Sequence, residues 1–256
     1  MIAAAAELMA TSEAAFWHGF SIFLRVAAFI GLMPAFGATT VPVRVRLALA
    51  LAMTLPVAAV VPPFVGPSGF GSIILLIGTE TLAGVLLGLS LRLFLLGLQT
   101  AGAIAAQSTS LAQVFAAAGG DPQPAMSHLL VSAGLALAML AGLHVKAVSY
   151  LILSYQMFPP GRLPDAGVVS VWGVALVSEV FTLAFTLAAP FVIVSVLYYL
   201  ALGAINRAMP QLMVAFVGAP LITFGGLALL LILAPLILET WLAALDGVML
   251  SPGGSR

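Results

Sequence analysis

The sequence predicts an all-α integral membrane protein, and three observations carry that prediction. They are extreme apolarity, a near absence of charge, and long apolar runs separated by proline and glycine clusters. Of 256 residues, 63% are hydrophobic and 6% charged, against about 45–50% and about 25% in ordinary soluble domains. Mean hydropathy is +1.24. Eight basic and eight acidic side chains cannot cover a water-facing surface on a chain of this length. Disorder is excluded as well, because it needs few apolar residues and high net charge. In lipid every backbone polar group must bond internally, so runs of this length read as helices.

The apolar runs form six segments at about 16–33, 45–61, 70–105, 128–156, 169–204 and 211–243. The first ends in Pro34 to Pro42, with Gly37 between, and the second in Pro62-Pro63 through Gly71. Gly119-Gly120-Asp121-Pro122 with Pro124 follows the third, and Pro159-Pro160-Gly161 with Pro164 follows the fourth. No basic residue precedes Arg25, while Glu7 and Glu13 do, so the positive region of a cleaved signal peptide is missing and the first segment is expected to stay in the membrane. Arg44, Arg46 and Arg207 fall on one side and Arg162 on the other, which by the positive-inside rule puts both termini outside. Segment 70–105 would run roughly 54 Å as a helix, whereas even a tilt near 40° needs only about 26 residues to cross. Such segments either project beyond the bilayer or break within it. Pro190 in the fifth, and Pro220, Gly225-Gly226 and Pro235 in the sixth, are the places to bend.

Several chemistries are set aside at this stage. Cysteine is absent, which excludes disulfides and thiolate metal sites. The one lysine, in Leu143-His144-Val145-Lys146, has no Walker context, and zero net charge offers nothing to nucleic acid. His18, His128 and His144 lie on different segments without a second nearby ligand, so no metal or other cofactor is expected. Ser90, in Gly88-Leu89-Ser90, is a fragment of an intramembrane protease motif without a base beside it. No enzyme is expected.

Charges and small residues inside the apolar runs need a reason, since an ionisable group at mid-membrane costs about 2.5–3.5 kcal/mol on insertion scales. Glu80, Gly84, Gly88 and Arg92 recur every four residues on the third segment, and Gly134, Ala138, Gly142 and Lys146 on the fourth. One reading is close helix packing with buried ion pairs; the other is a polar path for an ion or proton. Were these two segments an antiparallel hairpin, Glu80 and Lys146 would be a candidate ion pair. Glu179 adds a charge on the fifth segment, and His18, Ser21 and Arg25 share a face of the first. The stretch Gln107-Ser108-Thr109-Ser110-Leu111-Ala112-Gln113-Val114-Phe115, followed by Ala116 to Gly119-Gly120-Asp121-Pro122, is uncharged until Asp121 and rich in amides and hydroxyls. It reads either as a surface connection or as a re-entrant, pore-lining loop.

Several motifs in order along the chain carry a family resemblance. They are Leu24-Arg25-Val26 leading to Pro34, Val41-Pro42-Val43-Arg44-Val45-Arg46-Leu47, Thr100-Ala101-Gly102, Asp121-Pro122, Gly142-Leu143-His144 and Phe158-Pro159-Pro160-Gly161. Most specific is Asn206-Arg207-Ala208-Met209-Pro210-Gln211-Leu212, followed by Phe216, Gly218 and Pro220. Together they resemble the FliR family of type III secretion export gates, which includes relatives in virulence injectisomes. Gln99 departs from the basic residue that the family often carries before Thr-Ala-Gly.

The resemblance implies a single membrane domain over 1–256, built of long, proline- and glycine-broken helices arranged as bent hairpins in a hetero-oligomeric gate. Its implied place is the bacterial inner membrane, in the flagellar basal body, with FliP and FliQ subunits as partners, FlhB and FlhA nearby, and unfolded flagellar proteins as cargo. The loop from about Gln107 to Pro124, with Ser110, Leu111, Gln113, Val114, Phe115, Gly119, Gly120, Asp121 and Pro122, is the implied pore plug. Arg25, Pro34, Pro42, Arg44, Arg46, Asn206, Arg207, Pro210, Gln211 and Pro220 are implied scaffolding residues. An injectisome gate subunit is one alternative. A secondary transporter of a small solute is the other, using broken helices and the charges Glu80, Arg92, Lys146 and Glu179; that fold predicts two similar halves, and no convincing internal repeat is present.

Overall fold

Proline and glycine set the ends of the helices, and the apolar runs between them set their lengths. The computed structural model describes residues 2–38, 40–64, 66–67, 69–109, 125–209 and 214–250. Among the described residues the regular elements are seven helices: α1 (Ile2–Leu32), α2 (Val43–Val60), α3 (Phe70–Thr109), α4 (Ala125–Leu140), α5 (Leu143–Met157), α6 (Ala166–Ala208) and α7 (Val214–Leu250). Five are long and apolar enough to cross a membrane, or six if α4 and α5 together count as one span.

The chain is therefore an all-α, multi-pass membrane protein, with three differences from the segment reading. First, α1 starts well before residue 16, because the alanine-rich stretch ahead of it is itself a strong helix former. Second, the segment expected at 128–156 is two helices. Gly142 lies between them at φ +80°, a left-handed conformation that residues with a Cβ avoid. Gly142 N–H donates to Met139 O, and Val145 and Lys146 N–H donate to Gly142 O. Gly142 is thus a turn residue and not part of the small-residue helical stripe assigned to it. Third, the prolines at 56, 190, 220 and 235 lie inside α2, α6 and α7 without ending them. The long helices consequently project: α3 has 40 residues, α6 43 and α7 37, which is roughly 55–65 Å each at 1.5 Å per residue.

The chain divides into two compact units. The first comprises Met1–Leu93, Met139–Leu176 and Leu245–Arg256. Here α1 runs along α2, and α2 also touches α5. Ile22, Val26, Phe29 and Ile30 of α1, with Ala83, Leu87 and Leu91 of α3, are buried at helical spacing. Gly84 and Gly88 let α3 meet α1. A Cβ on Gly84 would strike the Arg25 carbonyl oxygen and lie 2.8 Å from Ala28 Cβ; one on Gly88 would lie 2.8 Å from both Leu32 Cβ and Phe29 O. The loop from α1 to α2 is held by Arg46, whose Nε and Nη2 donate to Val41 O and whose Nη2 also donates to Ala38 O.

The second unit comprises Phe94–Ala138 and Val177–Ala244. Phe94, Leu98, Ala101 and Ala105 form the buried face of α3, and the fully buried Trp241 of α7 donates its indole N–H to Phe94 O at 2.8 Å. Gly102, from the Thr-Ala-Gly motif, marks where α3 crosses α4: a Cβ there would sit 2.5 Å from Ser127 Cα, and Ser127 Oγ donates to Gln99 O.

Overpacking a tight core contact typically costs about 1–3 kcal/mol. Gly84→Leu and Gly102→Leu are expected to lower the apparent Tm of the detergent-solubilised protein accordingly. Gly78→Leu, where a Cβ meets nothing within 4 Å, is the control and should leave Tm in place. Equal Tm values for all three would refute the close approach.

Candidate functional site

A buried arginine organises the first unit. Arg25 and Glu80 have side chains 1% and 0% exposed, and their Nε–Oε2 distance is 2.8 Å. All three guanidinium nitrogens donate: Nε to Glu80 Oε2, Nη1 to Ser154 Oγ at 3.1 Å, and Nη2 to the Phe158 carbonyl at 2.8 Å. Arg25 Cζ lies 3.6 Å from the centroid of the Tyr155 ring, a cation–π contact. The Tyr155 hydroxyl has no hydrogen-bond partner among the described residues, so the ring is what makes the contact. The second carboxylate oxygen of Glu80 accepts from Gly161 N–H at 3.3 Å, and Gly161 turns at φ +69°.

The local sequence explains how these groups arrive together. Arg25 and Ser21 lie one turn apart on the buried side of α1, and Glu80 lies one turn before Gly84 on α3. Ser154 and Tyr155 sit in the last turn of α5. The two prolines after Phe158 stop that helix and leave the Phe158 carbonyl available to Arg25. Two motifs far apart in sequence, Leu24-Arg25-Val26 and Phe158-Pro159-Pro160-Gly161, thus meet at one ion pair. The guanidinium nitrogens and both carboxylate oxygens are all engaged within the chain. The arrangement fixes three helices and a turn.

The other candidate residues divide. The expected Glu80–Lys146 pair does not form. Glu80 pairs with Arg25, and Lys146 Nζ binds both carboxylate oxygens of Asp246, at 2.8 and 2.7 Å, in a pair about one-third exposed. Adjacency in sequence suggested the hairpin partner, but the partners lie on α1 and at the end of α7. Arg92, on the Glu80–Gly84–Gly88 stripe, points outward, as does Glu179 on α6. Pro34 is buried in the turn after α1; Pro42 precedes α2 and its carbonyl accepts from Val45 and Arg46 N–H. Arg44 is exposed. Asn206 and Arg207 are exposed in the last turn of α6, where a cation complements the helix dipole. Pro220 is exposed within α7. Gln107 is exposed in the last turns of α3. Ser110, Leu111, Gln113, Val114, Phe115, Gly119, Gly120, Asp121 and Pro122 of the expected plug, and Pro210 and Gln211, lie outside the described residues.

Ser90 donates to Leu87 O at 2.6 Å, so the Tyr150 hydroxyl donates to Ser90 Oγ at 2.9 Å. That is a packing role for the serine. His18 Nε2 donates to Ala58 O, and among the described residues no cluster of side chains could hold a metal ion. Sequence reasoning missed Asp246, Ser154 and Tyr155. Asp246 lay past the apparent end of the last apolar segment, and hydroxyl residues are too common in such helices to stand out alone.

Fold and site define a class: a multi-pass α-helical membrane protein with a self-contained structural ion pair where its motifs converge. Residues 16–248 match the family described as "Bacterial export proteins, family 1", and the chain belongs to it. Among its relatives, Flagellar biosynthetic protein FliR of Caulobacter vibrioides is 34% identical over 216 residues, covering 82% of this chain and 85% of that one. The protein of the same name in Escherichia coli K12 is 28% identical over 216 residues, covering 84% and 83%. That of Aquifex aeolicus is 28% identical over 228 residues, covering 85% of each.

Breaking a buried pair by removing one partner typically costs about 3–5 kcal/mol, because the other charge is left uncompensated. Arg25→Met and Glu80→Met are each expected to lower the apparent Tm sharply and to reduce the amount of protein in the membrane. The double variant Arg25→Met/Glu80→Met should recover much of the loss. A double variant as unstable as the sum of the singles would show that the pair itself is not what couples the two sites.

Proposed function

We propose that this chain is a subunit of the flagellar type III protein export gate. In that role it forms part of the inner-membrane pore through which unfolded flagellar proteins are secreted while the flagellum is assembled. The observation that carries this reading is membership in the bacterial export family over nearly the whole chain, with relatives named as flagellar biosynthetic proteins. The physical character of the molecule supports it. Apolar helices of 37 to 43 residues exceed a ~30 Å hydrocarbon layer, as suits a chain that packs among other subunits. The proposed partners are FliP-like and FliQ-like chains, with FlhB and FlhA adjacent, and the proposed site is the flagellar basal body.

In this mechanism the chain is scaffold and gate, and the driving energy comes from elsewhere, since no nucleotide-binding motif is present. A polypeptide conduit must be wide when open and closed to ions at rest. The stretch from Gln107 to Pro124 is the proposed plug: small apolar residues seal by packing and dewetting. The Arg25–Glu80 node holds the frame against which such a gate works.

In-frame deletion of the gene is expected to abolish swimming and the appearance of flagellar proteins in the medium, with both restored by the full chain in trans. A motile deletion strain would overturn the proposal, and lost virulence-factor secretion with intact motility would move it to an injectisome. Deleting residues 110–118 should raise ion or small-molecule leakage in expressing cells; unchanged leakage counts against the plug.

A further inference from the structure

Some charges on the helices are paired within the chain, and others, Arg92, Glu179 and Glu239 inside long helices among them, are exposed without a hydrogen-bond or ion-pair partner among the described residues. Arg25 with Glu80, and Lys146 with Asp246, are paired within the chain. Glu179 is exposed well inside the 43-residue α6 and has no hydrogen-bond or ion-pair partner among the described residues. Its surroundings give that isolation a direction. Ser178, Thr182 and Thr186 recur every four residues beside it, all exposed. Thr182 Oγ1 donates to Ser178 O and Thr186 Oγ1 to Thr182 O, both at 2.8 Å, so the two threonine hydroxyls are already used on the helix backbone. One turn further on, Pro190 lacks the N–H that would otherwise reach the Thr186 carbonyl.

The strip therefore presents a carboxylate and an open carbonyl, roughly 10 Å apart along the helix axis, with the Ser178 hydroxyl as the one free side-chain donor. Exposed Val177, Phe181 and Phe185 flank it. Lipid tails satisfy neither acceptor, and a lone carboxylate among apolar side chains is costly there. What complements the strip is a helix that is apolar along its length and carries one or two strong donors.

We propose that this strip of α6 is a docking surface for a membrane helix of another subunit, which brings an arginine or lysine to Glu179. The Thr186 carbonyl is the second acceptor for the same partner. An arginine suits Glu179, since its guanidinium offers several donors and stays charged in a dry interface. The inference rests on the proposed function only in that the chain works inside a multi-subunit membrane assembly.

The test uses the full chain, affinity-tagged and expressed with its neighbouring genes, extracted in mild detergent, with co-purified subunits quantified per tagged chain. Glu179→Leu is the decisive variant, because leucine enters lipid more readily than glutamate and does not threaten insertion. It is expected to lower the yield of co-purified subunits about threefold to tenfold, in the range of measured polar contacts between membrane helices. Glu179→Lys should lower it at least as far and Glu179→Gln less, with the tagged chain itself equally abundant throughout. Full subunit yield with Glu179→Leu overturns the docking surface, whether the strip then faces lipid or a water-filled conduit. Recovery of a second, differently tagged copy in place of other subunits overturns it too. A wild-type chain that brings down no other subunit defeats the proposed function itself, a result distinct from the failure of the variant alone.

Discussion

A guanidinium stays charged at any pH the cell meets, so an arginine inside an apolar bundle must be fully met by its neighbours or excluded. Arg25 is fully met, and much of the first unit follows from how. Its partners lie 55, 129 and 133 residues away in sequence, on α3, on α5 and in the turn that ends α5. Satisfying one side chain thus fixes the register of three helices at once. The backbone takes part in the same contact. The Arg25 carbonyl is the atom that a Cβ at Gly84 would strike. Ion pair and glycine contact are one approach of α1 to α3, seen from the side chain and from the main chain. Coupling of this kind makes the pair a constraint on how the helices pack, since moving either helix leaves a charge unpaired at low dielectric.

Length is the second constraint. Beside its polar strip, α6 exposes apolar side chains along most of its length: Val168 and Val171 near its start, and Leu200 and Ile205 near its close. A helix of 43 residues is about twice as long as the hydrocarbon layer is thick. Tilt absorbs only part of the difference. Some of that surface therefore lies beyond the reach of lipid, and in water it would be a large apolar patch of the kind that marks an interface. Both solvents available to an isolated chain are thus poorly matched to part of this surface.

The class of fold was legible because composition alone selects the solvent, and most helix ends were legible because proline and glycine clusters are local signals. The break at Gly142 was not. A glycine spaced four residues from Gly134, Ala138 and Lys146 looks like one member of a packing stripe, and only its backbone conformation makes it a turn. Nor was the buried face of each helix readable. On α3 the buried Leu87, Leu91 and Leu98 and the exposed Leu82, Leu89 and Leu96 are the same residue type, so hydrophobic periodicity carries no information. Polar and small residues carried what was left. Arg25, Glu80, Gly84 and Gly88 each stood out singly, but their grouping depends on tertiary contacts between distant segments. Hence the candidate pair of Glu80 with Lys146, drawn from neighbouring segments, gives way to Arg25–Glu80 and Lys146–Asp246.

The same satisfied geometry bears on what kind of transport the chain can serve. A secondary transporter places its substrate at helix interruptions, where unpaired backbone groups and nearby charges await a ligand. The interruption between α4 and α5 offers none of this: the Gly142 amide and carbonyl are both bonded to neighbouring backbone. At the close of α5 the Phe158 amide donates to Ser154 O and its carbonyl accepts from Arg25. The strongest charges in the interior, Arg25 and Glu80, are closed on each other and on the turn. At both of these interruptions the chain finishes the hydrogen bonding itself, and the Glu179 carboxylate, without a partner among the described residues, faces outward. Polar groups arranged that way build a frame that binds its neighbours. They do not build a pocket that binds a solute, and a conduit for an unfolded chain needs the first and not the second.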